Sequence, residues 1–190
     1  MRICIIRHGE TNWNNEKKIQ GRENIPLNQN GINQVKDTIN YLKKHNWKFI
    51  ITSPLSRARI SAEIISSEIG NIEIIKELDF VERDFGNISG LTINEANKLF
   101  PDGIWKGIES SETLQNRAVS SLKKYIKLCD GENIIIVSHG GTINSILSFL
   151  SNNEIGTGKT SLENACITLL EKNGEQINIV FFNKKASELI

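Results

Sequence analysis

The chain has 190 residues, 38% hydrophobic and 24% charged, the composition of an ordinary globular domain and not of a disordered or low-complexity chain. Twenty-three Lys and Arg against 22 Asp and Glu leave a formal charge of +1, which argues against a partner that is nucleic acid or an anionic membrane. No apolar run approaches the ~20 residues of a membrane span, and Ile3 to Ile6 is too short for a signal peptide. Cys4, Cys129 and Cys166 lie far apart with no CxxC spacing, so they are expected to be buried small hydrophobes in a reducing cytoplasm.

Short β-branched runs alternate with longer amphipathic stretches. Ile3-Cys4-Ile5-Ile6 reads as a buried strand and runs into Arg7-His8-Gly9-Glu10-Thr11. Helical periodicity covers about 32–45 through Ile32, Val35, Ile39 and Leu42, with Gly31 just before it. A second strand, Phe49-Ile50-Ile51, leads to a helix over about 54–69, with Pro54 at its start and Arg57 in its first turn. The stretch 80–112, with Gly86, Gly90, Pro101, Gly103 and Gly107, is the least regular; about 87–112 is expected to form a lid insert with one short helix at 94–100. A helix over 111–128, a strand Ile134 to Val137 and a helix over 141–150 follow. Cys166 to Leu170 and Ile177 to Phe182 form a hairpin about the turn Asn173-Gly174. Because the strand-like runs are continuous and not alternating, both faces should be covered. The expectation is a single α/β domain over 1–190: a three-layer α/β/α arrangement with a mostly parallel central sheet, a short lid insert and a C-terminal antiparallel hairpin.

Two of the three histidines, His8 and His139, directly follow apolar strands. The C-terminal ends of parallel strands border the ligand crevice of such a fold, so adjacent strands would bring the two rings face to face. The glycines behind them, Gly9 and Gly140-Gly141, allow an anion to approach backbone N–H groups closely. Arg7 and Arg57 stand at strand ends too, although only seven of the 23 basic residues are arginines. Two Arg and two His describe a pocket for a tetrahedral dianion, because the guanidinium fork matches phosphate oxygens. A neutral imidazole, with an ordinary pKa near ~6.5, is a competent nucleophile toward phosphorus. For the accompanying proton the residues alone leave four competing carboxylates, Glu77, Asp79, Glu82 and Asp84. No Asp/His spacing of the two-metal type is visible, so a metal-independent activity without a cofactor is expected. His45, in Lys43-Lys44-His45-Asn46, reads as a cation at a helix C-terminus and carries no chemistry.

The same residues resemble a known family. Arg7-His8-Gly9-Glu10-Thr11-Asn12-Trp13-Asn14, then Gln20-Gly21-Arg22, Pro26-Leu27 and Gly31, begin the match. Thr52-Ser53-Pro54-Leu55-Ser56-Arg57-Ala58, Glu82 in Glu82-Arg83-Asp84-Phe85-Gly86, and Ser138-His139-Gly140-Gly141 complete it, in an order and spread similar to the histidine phosphatase (phosphoglycerate mutase-like) superfamily. The resemblance implies that His8 attacks the phosphoryl group and becomes a phosphohistidine. It implies that Arg7, Arg57 and His139 hold the non-bridging oxygens, with His139 protonated beside phosphate. Asn14 would contact the transferring group, and Gln20, Gly21 and Gly140 would line the phosphate and substrate site. The block Glu-x-x-Phe-Gly singles out Glu82 as general acid and then base, its pKa raised beside an anion.

Within that family, paired lid arginines and a Gly-Asn after the second histidine mark mutases. Here the stretch 87–116 contains no Arg and His139 is followed by Gly140-Gly141, so the phosphatase branch is expected, acting on a small phosphorylated metabolite. A cofactor-dependent phosphoglycerate mutase and a catalytically silent phospho-ligand binder are the alternatives. The family's Gly-Glu-Ser block would fall at Ile108-Glu109-Ser110, eight residues before Arg117, with its glycine missing. Trp105 either stacks on a substrate or supports the lid.

Overall fold

Apolar runs without alternation become strands that are covered on both sides. The structure, a computed structural model, describes residues 1–129 and 131–189. Strands β1 (Arg2–Arg7), β2 (Phe49–Thr52), β3 (Ile74–Lys76) and β4 (Ile134–Ser138) pair in parallel. Strands β5 (Ile167–Asn173) and β6 (Gln176–Lys184) add an antiparallel hairpin, giving the order β3-β2-β4-β1-β5-β6. Helices α2 (Gln29–Leu42) and α3 (Ser56–Glu68) cover one face, and α5 (Ser111–Leu128) and α6 (Gly140–Leu150) the other. Alternate residues of each central strand therefore serve different cores. Ile3 and Ile5 pack with Leu122, Ile143 and Leu147, while Cys4 and Ile6 pack with Val35, Ile39 and Ala62. Ile3 to Ile6 and Ile134 to Val137 have no exposed surface, and each such isoleucine contributes ~1.5–3 kcal/mol by burial. These two strands form the rigid floor under the residues at their ends.

β1 lies beside β4 with Arg7 opposite Ser138, so His8 and His139 leave the sheet as neighbours. The helix α1 (Asn12–Asn15) follows His8, capped by Thr11. In the stretch 87–112 the expected short helix is α4 (Ile93–Leu99), opened by a Thr92–Glu95 capping box. Bridges from Lys18 to Thr92 and from Phe85 to Ile108 tie that stretch to the body.

Several local expectations are corrected. Strand β3 is a three-residue, half-buried edge strand, too short to show any periodicity. Gly31 lies inside α2, not before it, because Asn28 is the N-cap and accepts from Gly31 N at 2.8 Å. A glycine is required there by close backbone approach: a Cβ would lie 2.1 Å from Glu10 O, and one on Gly9 would lie 2.3 Å from Gly31 O. Pro54 precedes the N-cap Leu55 instead of opening α3. The hairpin loop is Gly174-Glu175, with Gly174 at φ +59 and Asn173 still paired to Gln176. His45 is not a cation: burial first, then Arg2 and Lys44, lower its pKa, and its Nδ1 lies 3.2 Å from Arg2 Nη1, which donates to it. The three cysteines are buried free thiols, and burial pushes Cys166 up to about 12. Among the described residues no helix is long and apolar enough to cross a membrane.

Candidate active site

His8 and His139 sit with ring centroids 5.2 Å apart and planes tilted by 56°. Both are buried. His8 Nδ1 lies 2.7 Å from the Gly9 carbonyl oxygen. A carbonyl only accepts, so Nδ1 carries the proton and Nε2 keeps the lone pair. His139 Nε2 is 2.7 Å from Ser53 Oγ, and its Nδ1 is buried with no partner among the described residues. Burial, then the charges of Arg57 and Arg7, hold His8 well below the usual imidazole range. Burial and Arg57, followed by His8, Arg7 and Arg117, do the same to His139. A neutral His8 is the form a nucleophile needs. The protonated His139 expected beside phosphate is not the state of the unliganded site; a bound dianion would have to offset burial and the three arginines.

This depression has a measurable consequence for stability. In the unfolded chain both histidines take up a proton below about pH 6.5, whereas in the folded chain they stay neutral to lower pH. The unfolded state therefore binds more protons, so the stability is full above about pH 6.5 and is lost as pH falls below it. Each histidine removes up to about 1.4 kcal/mol per pH unit between its unfolded and folded values. Urea unfolding at about pH 7.5 and 5.5 should show a lower midpoint at the acid end, and a smaller drop in His139→Asn. Equal midpoints in the wild type would contradict the burial of two neutral imidazoles.

Arg57, the second residue of α3, is 1% exposed. Its Nη1 donates to Glu23 O at 2.6 Å and its Nη2 to Gly21 O at 2.8 Å. Burial lowers its pKa to about 10, with Glu82 opposing and Arg7 adding to the shift, so it remains a cation at neutral pH. Arg7 donates through Nη1 to Leu162 O, and a Cβ added to Gly140 would lie 3.5 Å from Arg7 Nε. Each guanidinium is thus anchored by backbone carbonyls on one side. Arg7 Nε, Arg57 Nε and His139 Nδ1 are buried without partners among the described residues. A buried unsatisfied polar group costs ~1–3 kcal/mol, and oxygens of a tetrahedral anion are the natural acceptors for guanidinium donors.

Glu82 accepts from Gly141 N at 3.0 Å through Oε2 and from Thr142 N at 3.1 Å through Oε1. Its carboxylate therefore caps the first turn of α6, beside the histidine that precedes that helix. Two of the three competing carboxylates are engaged elsewhere: Glu77 pairs with Lys124, and Asp84 Oδ1 accepts from Gly86 N at 2.8 Å. Gly141 is the position that admits this arrangement, since a Cβ there would lie 2.5 Å from Glu82 Oε1. The obstacle is the end of a side chain that can swing away. Gly141→Ala should consequently fold, displace Glu82 and reduce kcat by ~10–10²-fold, part of what a general acid contributes. A crystal structure and steady-state rates check this; full activity with a displaced Glu82 would remove Glu82 from the chemistry.

Asn14 Oδ1 accepts from Thr11 N at 3.0 Å and Thr11 Oγ1 at 3.1 Å. That fixes the amide orientation and makes Nδ2 the group available as a donor to a ligand. Gln20 is nearly buried, with Oε1 unpartnered among the described residues. Gly21 stands behind Arg57, where its carbonyl anchors the guanidinium. Gly140 runs alongside Arg7. Glu109 and Arg117, whose register the missing glycine left open, meet as a two-pronged ion pair, Nε to Oε1 at 2.7 Å and Nη2 to Oε2 at 2.9 Å.

Residues 3–185 match the model of the histidine phosphatase superfamily (branch 1). The chain belongs to that superfamily. It is 37% identical over 181 residues to an uncharacterized phosphatase, PhoE, of Bacillus subtilis (strain 168), covering 95% of this chain and 93% of that protein. A metal-independent phosphoserine phosphatase of Arabidopsis thaliana is 31% identical over 157 residues, 76% of this chain and 66% of its own. A probable phosphoglycerate mutase, GpmB, of Serratia proteamaculans (strain 568) is 32% identical over 158 residues, 78% of this chain and 74% of its own. The fold is shared with Bacillus stearothermophilus YhfR, at a TM-score of 0.87 and 22% identity over 94% of this chain and 95% of that one. A phosphoserine phosphatase from Entamoeba histolytica, solved as a mutant with phosphoserine, superposes at a TM-score of 0.84 with 29% identity over 100% of this chain and 99% of its own. As a histidine phosphatase superfamily member the chain is an enzyme of the phosphatase or mutase kind.

Three neighbours of the site in this histidine phosphatase fold carry no expectation from the sequence. Ser53 Oγ engages His139. Ser61 Oγ accepts from Gly9 N at 3.2 Å and donates to Arg57 O at 2.7 Å, linking the nucleophile's loop to α3. Asn164 Nδ2 donates to His8 O at 3.1 Å. Ser53 lies inside the Thr-Ser-Pro block and was within reach of the sequence; Asn164 sits in a loop with no local pattern.

Proposed function

We propose that the protein is a metal-independent phosphatase that hydrolyses a small phosphate monoester through a phosphohistidine on His8. The observation that carries this reading is a buried, neutral His8 whose Nε2 holds the lone pair, packed against His139 with Arg7 and Arg57 close by. In the first half-reaction, Nε2 forms the P–N bond as the P–O bond to the leaving group breaks, and Glu82 gives that alkoxide its proton. Arg7, Arg57 and His139 hold the non-bridging oxygens, and Asn14 Nδ2 donates to one of them. In the second, Glu82 takes a proton from water as its oxygen displaces His8 from phosphorus, releasing inorganic phosphate.

Two buried arginines supply the positive charge that a metal would otherwise bring, which supports metal independence, as does the metal-independent activity named for the Arabidopsis relative. Phosphatase over mutase is supported by the Arg-free 87–116 stretch and by Gly140-Gly141 after His139; we take 87–112 as the lid over the mouth. The phosphoserine phosphatases among its relatives support phosphorylated hydroxy acids as the first substrates to try. Buried free thiols fit a cytoplasmic setting.

A panel of an aryl phosphate, phosphoserine, sugar phosphates and 3-phosphoglycerate, assayed in EDTA, tests the reading. At least one ester should turn over at ~1–10³ s⁻¹. Silence across the panel, or activity only after a divalent ion is restored, contradicts it. Steady formation of 2-phosphoglycerate from 3-phosphoglycerate with the bisphosphorylated primer would replace it by the mutase reading.

A further inference from the structure

We propose that Arg117 is the positioning residue of the acid/base step, a role that rests on Glu82 being the proton donor. A guanidinium has five N–H donors in a fixed plane, and Arg117 uses each. Nε and Nη2 reach the two Glu109 carboxylate oxygens at 2.7 and 2.9 Å. Nη1 donates to Asp79 O at 2.6 Å and to Val81 O at 2.8 Å, and Nη2 also donates to Glu82 O at 3.1 Å. Three of the five bonds therefore end on the backbone of 79–82, the loop that carries Glu82. Strand pairing does not hold that loop; a one-turn 3₁₀ helix, Leu78–Phe80, is its only regular structure.

Glu109 fixes the fork from the other side. Its side chain is 6% exposed, against 13% for Arg117, so the pair is sheltered from solvent screening. It also accepts from Asp84 N at 3.2 Å, and its backbone O accepts from Arg83 Nε at 2.8 Å. The two ends of the 84–109 excursion are thereby pinned to α5 through one ion pair. From the opposite side Thr142 Oγ1 donates to Val81 O at 2.7 Å. The loop is clamped between α5 and α6, and the Glu82 carboxylate is set on the two N–H groups of α6. With its charge matched by Glu109 and its donors all engaged, Arg117 has nothing left for a substrate. It acts through Glu82.

The test exploits leaving-group chemistry. An alkyl phosphate needs a proton on its departing oxygen, whereas p-nitrophenyl phosphate expels a stable anion and needs little help. Lysine has three donors and no planar fork, so Arg117→Lys should lower the single-turnover rate of phosphohistidine formation from an alkyl ester by ~10–10²-fold, shift the pH profile of that step, and leave substrate affinity and the single-turnover rate with p-nitrophenyl phosphate within about threefold. Glu82→Gln, run in parallel, should show the same discrimination in that step more strongly, while its later hydrolysis of phosphohistidine slows for both esters. Arg117→Ala with added guanidinium, checked for folding by thermal melts, should regain alkyl-ester activity selectively. Equal losses on both esters in Arg117→Lys, while Glu82→Gln discriminates, would overturn the positioning role. If Glu82→Gln itself fails to discriminate, the acid role falls, and the positioning role with it.

Discussion

His8→Ala should lose turnover of every monoester by at least ~10³-fold while still binding inorganic phosphate, because the variant removes the phosphoryl acceptor and leaves the cationic frame in place. Arg7, Arg57 and His139 are anchored independently of the His8 ring, on Leu162 O, on Gly21 O and Glu23 O, and on Ser53 Oγ respectively. The backbone at residue 8 is also held from outside, by Ser138 O, which accepts from His8 N, and by Asn164 and Ala165, which donate to His8 O. The substitution leaves one Gly9 carbonyl without its imidazole donor, a local cost of ~1–3 kcal/mol that the rest of the fold can absorb. Single-turnover rates with an aryl phosphate, together with calorimetry of phosphate binding, separate the two effects. A variant that keeps more than about a tenth of the wild-type rate would remove His8 from the chemistry.

Arg57→Ala should be damaging in two ways at once. Losing a preorganised cation against the non-bridging oxygens costs ~10²–10³ in kcat/KM. The same change orphans the Gly21 and Glu23 carbonyls, each worth ~1–3 kcal/mol where the group cannot reach water. At ~2–4 °C per kcal/mol for a chain of this size, the melting temperature should fall by several degrees. Arg57→Lys should recover little of either, because a point charge cannot replace two in-plane donors and the remaining Nε. Saturating phosphate should raise the melting temperature of the wild type clearly more than that of Arg57→Ala. Equal stabilisation of the two proteins would mean that Arg57 does not contact the anion.

The parts of this protein that the sequence makes legible are those with a continuous apolar signal. β1, β4, α5 and α6 could be read because both faces of the sheet are covered, so their strands carry no polar interruptions. β3 could not, since three residues at an edge, two half-buried and one exposed, leave no period to detect. Gly31 misled the placement of α2: its requirement comes from Glu10 packing against it across the chain, and not from the helix it belongs to. The histidines and arginines were visible as residues after strands. Their local concentration of charge was hidden by a net charge of +1. For the proton donor, composition and spacing left four carboxylates; only the fold shows that Glu77 and Asp84 are occupied and that Glu82 meets the start of α6. The dependence of Glu82 on Arg117 is a long-range contact of 35 residues, of a kind that no local pattern encodes.

The phosphohistidine itself can be looked for. Mixing the enzyme with a good aryl phosphate, quenching in alkali within milliseconds and mapping the phosphate by mass spectrometry should place it on His8, stable to base and lost in acid. It should build up faster in Glu82→Gln than it is hydrolysed, and it should be absent from His8→Ala. Normal turnover with no phosphate on His8 at any quench time, or phosphate on a different residue, would contradict nucleophilic catalysis by His8.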